Sequence, residues 1–283
     1  MHSSTRMHEL PDESVDLVVT SPPFGLGLKY GNSEEQLEVA VLSDADYEFY
    51  LRGMEPVWRE SFRVLRKGGF ACINAAYTHT DSKMFQGRGE VTVLPVPDDI
   101  ARFWRGMGAL YKCQYIWVAT RGRWASDGSK ISYLGSVGLP LEGCVCREVE
   151  QIVVLRKPKG ADYELTAERK ARREQSRLTT AGGDSEWNRC FSQVWEFPGA
   201  RKESVNGEVV HPAPFPVELP RRLIMAYSVV GDTILDPFLG SGTTTLAAKE
   251  LGRRSVGYEV EPAMASVIEA KTRLSVPPLT KEW

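Results

Sequence analysis

Residues 234–245 read Ile-Leu-Asp-Pro-Phe-Leu-Gly-Ser-Gly-Thr-Thr-Thr, and no other stretch constrains the fold as strongly. An apolar run, Thr233-Ile234-Leu235, ends in the acid Asp236. A glycine-rich turn follows, and residues 246–251 have helix-forming composition. Strand, glycine turn and helix in that order build a nucleotide-type site at the carboxyl end of a parallel strand. Gly240 and Gly242 let the backbone approach a ligand closely. A further predicted strand, residues 255–258, ends at Glu259. An acid about 20 residues past such a turn is placed to take ribose hydroxyls. By itself the turn could also be a plain strand–helix connection. Two ligand readings fall away. A phosphate-binding loop needs Gly-Lys-Ser/Thr, whereas Thr243-Thr244 follows Gly242. A dinucleotide fingerprint needs a third glycine where Thr245 stands, and Asp236 would repel a pyrophosphate. A ligand with a cationic end and an adenosine suits this acid better.

The run Asp236–Thr244 resembles the S-adenosylmethionine motif of amino-methylating DNA methyltransferases. Thr20-Ser21-Pro22-Pro23-Phe24 is similar to the catalytic motif of that family. His211-Pro212-Ala213-Pro214-Phe215-Pro216 resembles a third family segment, which lines the methionine end of the cofactor. The catalytic motif precedes the cofactor motif, an order similar to the permuted, or beta, group. The resemblance implies an α/β, Rossmann-like methyltransferase fold with a mostly parallel, doubly wound sheet, a circularly permuted motif order and a small inserted target-recognition region. It implies S-adenosyl-L-methionine as cofactor, held by Thr20, His211, Pro212, Asp236, Pro237, Phe238, Gly240, Ser241, Gly242, Thr243, Thr244 and Glu259. Within that set, Asp236 lies near the methionine ammonium and Glu259 on the ribose. Ser21, Pro22, Pro23 and Phe24 become the catalytic residues. Ser21 at the first motif position resembles the cytosine-N4 enzymes, since adenine enzymes more often carry Asp or Asn there. Adenine, and a silent DNA-binding module that keeps the cofactor fold, stand as alternatives. Intact Ser21, Phe24, Gly240 and Gly242 speak against silence.

A chain of 283 residues accommodates one large α/β domain or a domain with an insertion. The resemblance divides it into a catalytic half (1–160), a target-recognition segment (161–205) and a cofactor half (206–283). The formal charge of −2 gives no global attraction to nucleic acid, so contact with double-stranded DNA must come from a local basic patch. Arg121 and Arg123 beside Trp124 form one candidate. The other lies in residues 156–177, with eight Lys/Arg against four acids. Its centre, residues 166–174, is predicted helical and offers Arg169, Lys170, Arg172 and Arg173 either as a solvated face or as phosphate contacts. Its place between the two halves favours the second reading. A homodimer and a cognate restriction endonuclease remain open as partners.

No apolar run approaches the ~18 residues needed to span a bilayer, and the polar start is unlike a signal peptide. Five scattered cysteines suit reduced thiols in a cytoplasm. Cys144 and Cys146 lack the second pair and the nearby histidine of a zinc site, so no metal is expected. No cysteine follows a proline, so the nucleophile of carbon-5 cytosine methylation is absent.

Residues 15–20 predict a buried strand stopped by Ser21-Pro22-Pro23. Residues 47–65 carry apolar positions at helical spacing, with Lys67-Gly68-Gly69 predicted to end the helix. Strands are predicted at 70–74, 111–119, 151–155, 233–235 and 255–258, and helices at 98–107, 216–230, 244–251 and 262–274. Residues 78–97 and 121–148 read as loops, and 178–206 as polar. One departure from the family concerns the N-terminus. His2-Ser3-Ser4-Thr5 stands where Gly-Asp-Ser is common, so the acid expected near the adenine ring is missing. A third strand of the cofactor half would come from residues ahead of Arg6 and is expected to be absent or partial.

The proposed chemistry needs neither a covalent intermediate nor a metal. An exocyclic amine is a weak nucleophile because its lone pair is conjugated into the ring. Acceptors aimed at its protons favour the tetrahedral nitrogen that forms as the methyl arrives. Ser21 Oγ and the Pro22 carbonyl could supply them, and Phe24 could stack on an extruded base.

Overall fold

The computed structural model describes residues 4–23, 44–79, 93–119, 134–135, 143–144, 149–161, 163–200, 203–205, 208–211 and 214–275. The elements run β1 (Val15–Thr20), α1 (Asp44–Val64), β2 (Leu65–Ala75), β3 (Thr78–His79), β4 (Val93–Leu94), α2 (Val96–Gly106), β5 (Leu110–Ala119), β6 (Leu134–Gly135), β7 (Gly143–Cys144) and β8 (Val149–Arg156). There follow α3 (Ala167–Gln175), α4 (Glu186–Phe191), β9 (Val194–Phe197), β10 (Glu203–Val205), β11 (Glu208–His211), α5 (Glu218–Tyr227), β12 (Thr233–Asp236), α6 (Thr243–Glu250), β13 (Arg254–Gly257) and α7 (Met264–Thr272).

Seven strands form the main sheet in the order β13-β12-β1-β2-β8-β5-β9. β8 runs antiparallel to both β2 and β5, and the remaining neighbours are parallel. The sheet is thus mostly parallel, and apolar residues alternate between its two faces as the period of a strand requires. Val18, Ile73, Leu155 and Leu235 pack with Val57 and Trp58 of α1 and with Ile100 and Trp104 of α2. Leu17, Val19, Ile152 and Ile234 point the other way, onto Leu219 and Leu223 of α5 and Ala247 and Ala248 of α6. Helices therefore cover both faces, as the doubly wound expectation requires.

Gly68 and Gly69 do not end α1 in a loop. The helix passes directly into β2 at Leu65, and the glycines absorb an irregularity where the β1–β2 register shifts between Val15 and Leu17. Gly68 has φ 74°. A Cβ on Gly69 would lie 2.7 Å from Leu65 Cδ1 and 2.9 Å from the Asp16 carbonyl, so no side chain fits there. Segment 161–205 is not set apart from the sheet. Its β9 pairs in parallel with β5, Trp195 opposite Trp117, and Trp195 is fully buried. Among the described residues no strand pairs with the outer edge of β13, and no helix is long and apolar enough to cross a membrane.

Candidate active site

The parallel strands β1, β12 and β13 end on one edge of the sheet. The chain proceeds from β12 to β13 in one direction and from β1 to β2 in the other, so the strand order reverses between β12 and β1. Ligands of open α/β sheets bind at such a switch point, outside the carboxyl ends of the strands. Thr20 and Asp236 are the terminal residues of these two strands, and Thr20 Oγ1 donates to Asp236 Oδ1 at 2.6 Å. Thr244 Oγ1 donates to Oδ2 at 2.6 Å and the Phe238 amide to Oδ1 at 3.1 Å. Burial pushes the Asp236 carboxyl up to about 6, while these three donors pull the other way.

The glycine turn is shaped by backbone that favours glycine. Gly240 has φ 53° and Gly242 φ 84°. A Cβ on Gly242 would lie 3.2 Å from Thr272 Cγ2 and 3.3 Å from Ile268 Cγ2, both on α7. Glu259 closes the turn from just beyond the end of β13. Its Oε2 accepts from the Gly240 amide and its Oε1 from the Glu261 amide, each at 2.8 Å. Burial pushes its carboxyl up to about 7 against those amides. Pro237, Ser241, Thr243 and Thr244 are buried around the turn. Phe238 packs edge-on against Trp58 of α1, ring centroids 5.7 Å apart. An acid at each end of a close-approach turn fits a ligand with an ammonium at one end and a ribose diol at the other. It does not fit a phosphate.

Ser21, Pro22 and Pro23 continue directly from Thr20, with Pro22 buried and its two neighbours half-buried. Ser21 and the glycine turn, far apart in sequence, thus lie side by side at the carboxyl edge of the sheet. His211 lies in the β10–β11 hairpin, paired with Glu203. Phe24, Arg121, Arg123 and Pro212 lie outside the described residues. Among the described residues no group of three or more His, Cys, Asp or Glu could hold a metal ion.

Two residues at the site carry no sequence signal of their role. Tyr50 Oη of α1 donates to the Pro23 carbonyl at 2.9 Å. Lys271 Nζ of α7 donates to Ser241 Oγ at 2.6 Å and Thr243 Oγ1 at 3.1 Å. Tyr50 is legible only as an apolar helix position, and nothing local marks Lys271.

The basic helix α3 packs against the sheet through two of its arginines. Arg169 Nη1 and Nη2 donate to Asp232 Oδ1 and Oδ2 at 2.7 and 2.6 Å, and Nη1 also reaches Asp16 Oδ1 at 2.8 Å. Arg66 Nε donates to the same Asp16 oxygen at 2.6 Å. Arg172 Nη1 reaches the Val230 carbonyl at 3.2 Å and Asp232 Oδ1 at 3.3 Å. Asp232 precedes β12 and Asp16 is the second residue of β1, so α3 is fastened to the amino ends of the strands. The six residues of β1 rise ~3.3 Å each, which puts about 20 Å between that edge and Ser21. Arg169 and Arg172 thus direct guanidinium donors to Asp16, Asp232 and the Val230 carbonyl, on the edge opposite Ser21. Lys170 and Arg173 are exposed on the same helix, also away from the carboxyl edge.

A family profile for DNA methylases of the N6/N4 type matches residues 15–270. The chain is 33% identical over 284 residues to the type II methyltransferase M.MjaI of Methanocaldococcus jannaschii, covering 94% of this chain and 88% of that one. It is 31% identical over 280 residues to the type II methyltransferase M.MthZI of Methanothermobacter thermautotrophicus, covering 95% and 74%. Among solved structures it is similar to TTHA0409 of Thermus thermophilus, a candidate DNA modification methylase complexed with S-adenosyl-L-methionine. The TM-score is 0.69 at 31% identity, over 96% of this chain and 91% of that one. The cytosine-N4-specific PvuII DNA methyltransferase shares the fold, with a TM-score of 0.62 at 16% identity over 97% and 85%.

Proposed function

The chain belongs to the N6/N4 DNA methylase family, and from that premise we propose that it methylates the exocyclic N4 amine of a cytosine extruded from duplex DNA. The observation that carries this reading is the Thr20–Asp236 hydrogen bond, which ties the Ser-Pro-Pro turn to the glycine turn. S-Adenosyl-L-methionine, the family's cofactor, supplies an electrophilic methyl on a sulfonium. Asp236 and Glu259 would hold its ammonium and ribose diol, with the backbone of Gly240–Gly242 against its body. Ser21 Oγ and the Pro22 carbonyl would accept from the two amine protons, orienting the nitrogen lone pair toward the methyl. The N–C bond forms as the S–C bond breaks, and the surplus amine proton leaves to solvent.

Cytosine over adenine rests on Ser21, whose position in the motif resembles the cytosine enzymes. DNA is expected to approach the carboxyl edge. There the chain leaves β5 at Ala119, re-enters β8 at Val149 and leaves β9 at Phe197. Arg121 and Arg123 follow β5 at once in sequence, so they replace α3 as the favoured phosphate contacts. The type II naming of the relatives extends the proposal to site-specific modification alongside a cognate restriction endonuclease.

The test is to incubate the purified protein with duplex DNA and S-adenosylmethionine, then digest the DNA and identify the methylated nucleosides by mass spectrometry. N4-methylcytosine is expected. N6-methyladenine would reassign the base, and the absence of both would overturn the reading.

A further inference from the structure

The Ser-Pro-Pro turn has few backbone freedoms. Ser21 and Pro22 each precede a proline, which holds both in extended conformations. Pro22 and Pro23 have φ fixed near −65° by their rings. The torsion left open is ψ of Pro23, which sets the direction of the Pro23 carbonyl. That carbonyl is the group that Tyr50 Oη holds at 2.9 Å.

Tyr50 is itself fixed. It is 4% exposed, and its ring stacks on Tyr47 with centroids 6.2 Å apart and planes within 13°. Tyr47 Oη in turn donates to Asp99 Oδ2 on α2 at 2.7 Å. Asp99 also pairs with Arg102 Nη1 at 2.9 Å. Two helices on one face of the sheet thus converge, through two stacked rings, on one carbonyl of the catalytic turn. Packing alone would be served by phenylalanine at both positions. The hydroxyls are used for direction.

We infer that Tyr50 is a positioning residue for methyl transfer. By fixing ψ of Pro23 it pins the Ser-Pro-Pro turn, the turn that faces the extruded base, against α1. Tyr47 and Asp99 hold Tyr50 in place. Tyr50 does not touch the reacting atoms. This inference rests on the proposed methyl transfer and names what aligns that site.

The test is Tyr50→Phe, which keeps the ring and removes the donor, with Tyr47→Phe as a second variant. Single-turnover methylation is measured on a duplex that keeps the target cytosine, and extrusion on a second duplex in which 2-aminopurine replaces it. Cofactor affinity and melting temperature are measured in parallel. Tyr50→Phe should slow single-turnover methylation about tenfold or more and reduce the 2-aminopurine signal at saturating DNA, with cofactor affinity within twofold of the parent. Tyr47→Phe should move the same two readouts less, and the double variant should be no worse than Tyr50→Phe alone. Loss of stability only, with methylation and extrusion unchanged in the folded fraction, would overturn the inference. So would parental behaviour in every readout. A parent protein that methylates no DNA would instead fail the functional reading, so the two failures are distinguishable.

Discussion

Thr20 Oγ1 lies 2.6 Å from Asp236 Oδ1, and the two residues are 216 positions apart in sequence. One ends the strand that carries Ser-Pro-Pro, and the other ends the strand that opens the glycine turn. The bond is buried, so no water can replace either partner cheaply. A hydrogen bond to a buried charged group contributes about 1.5–3 kcal/mol. Thr20→Val should therefore lower the stability of the folded protein by about that amount at pH 8 and, by loosening the two turns from each other, weaken S-adenosylmethionine binding and turnover. Asp236→Ala should abolish binding, since it also strands Thr244 Oγ1 and the Phe238 amide. Calorimetric titration of the cofactor checks both variants. Parental affinity in both would move the cofactor site elsewhere.

The Glu259 carboxyl, raised from 4.5 to about 7, makes two pH predictions of opposite sign. A ribose diol donates to the carboxylate, so cofactor affinity should rise with pH and level off above about 7. Stability of the ligand-free protein runs the other way. The folded state favours the protonated form, so this contribution is present below the unfolded value and is lost as pH rises through about 7. Glu259→Gln should flatten both dependences, leaving the smaller share of Asp236, which is raised in the same direction to about 6. Melting temperatures and cofactor titrations from pH 5 to 8.5 decide this. An unchanged pH profile in Glu259→Gln would remove Glu259 from the ribose.

Much of this site is legible in the sequence because its signals are local. β1 is buried at every position, and its short apolar run stopped by Ser-Pro-Pro marks it as a strand. The turn at 236–244 shows its glycines, its acid and its missing lysine within one short stretch. What the sequence hides is held by distant partners. Arg169 looks like part of a charge run because its carboxylates, Asp16 and Asp232, lie 153 and 63 positions away. β9 reads as polar loop because half of its positions face solvent, and only pairing with β5 reveals Trp195 as core. Tyr50 reads as one apolar helix position among several until its hydroxyl is seen on Pro23.

Whether α3 serves packing or DNA binding can be measured. Arg169→Met would leave Asp232, whose side chain is 0% exposed, and Asp16 without their shared cation. Leaving a buried charge uncompensated costs about 3–5 kcal/mol, and the cost here is smaller because Arg172 stays on Asp232 and Arg66 on Asp16. A fall in melting temperature is expected, with the salt dependence of DNA binding unchanged in the folded protein. A helix that bound phosphates would instead flatten the log–log salt slope by about 0.9 for each phosphate no longer neutralised. A flatter slope in Arg169→Met, without loss of stability, would restore α3 to the DNA interface.

Ser21→Ala separates chemistry from binding. Ser21 directly follows Thr20, whereas the proposed cofactor contacts come mainly from β12, the glycine turn and Glu259. Removing Ser21 Oγ leaves those contacts and the Thr20–Asp236 bond intact, so cofactor affinity should not change. What disappears is an acceptor whose partner becomes a better donor as the amine nitrogen turns tetrahedral. An interaction made mainly in the transition state lowers kcat while leaving ground-state binding in place. Removing one such preorganised interaction typically costs about 10²–10³ in rate. Single-turnover methylation with saturating cofactor and DNA should show that drop, with the 2-aminopurine extrusion signal retained. This pattern contrasts with Tyr50→Phe, which should impair extrusion as well as rate. Near-parental methylation in Ser21→Ala would make Ser-Pro-Pro a structural turn and place the amine acceptors elsewhere on the carboxyl edge.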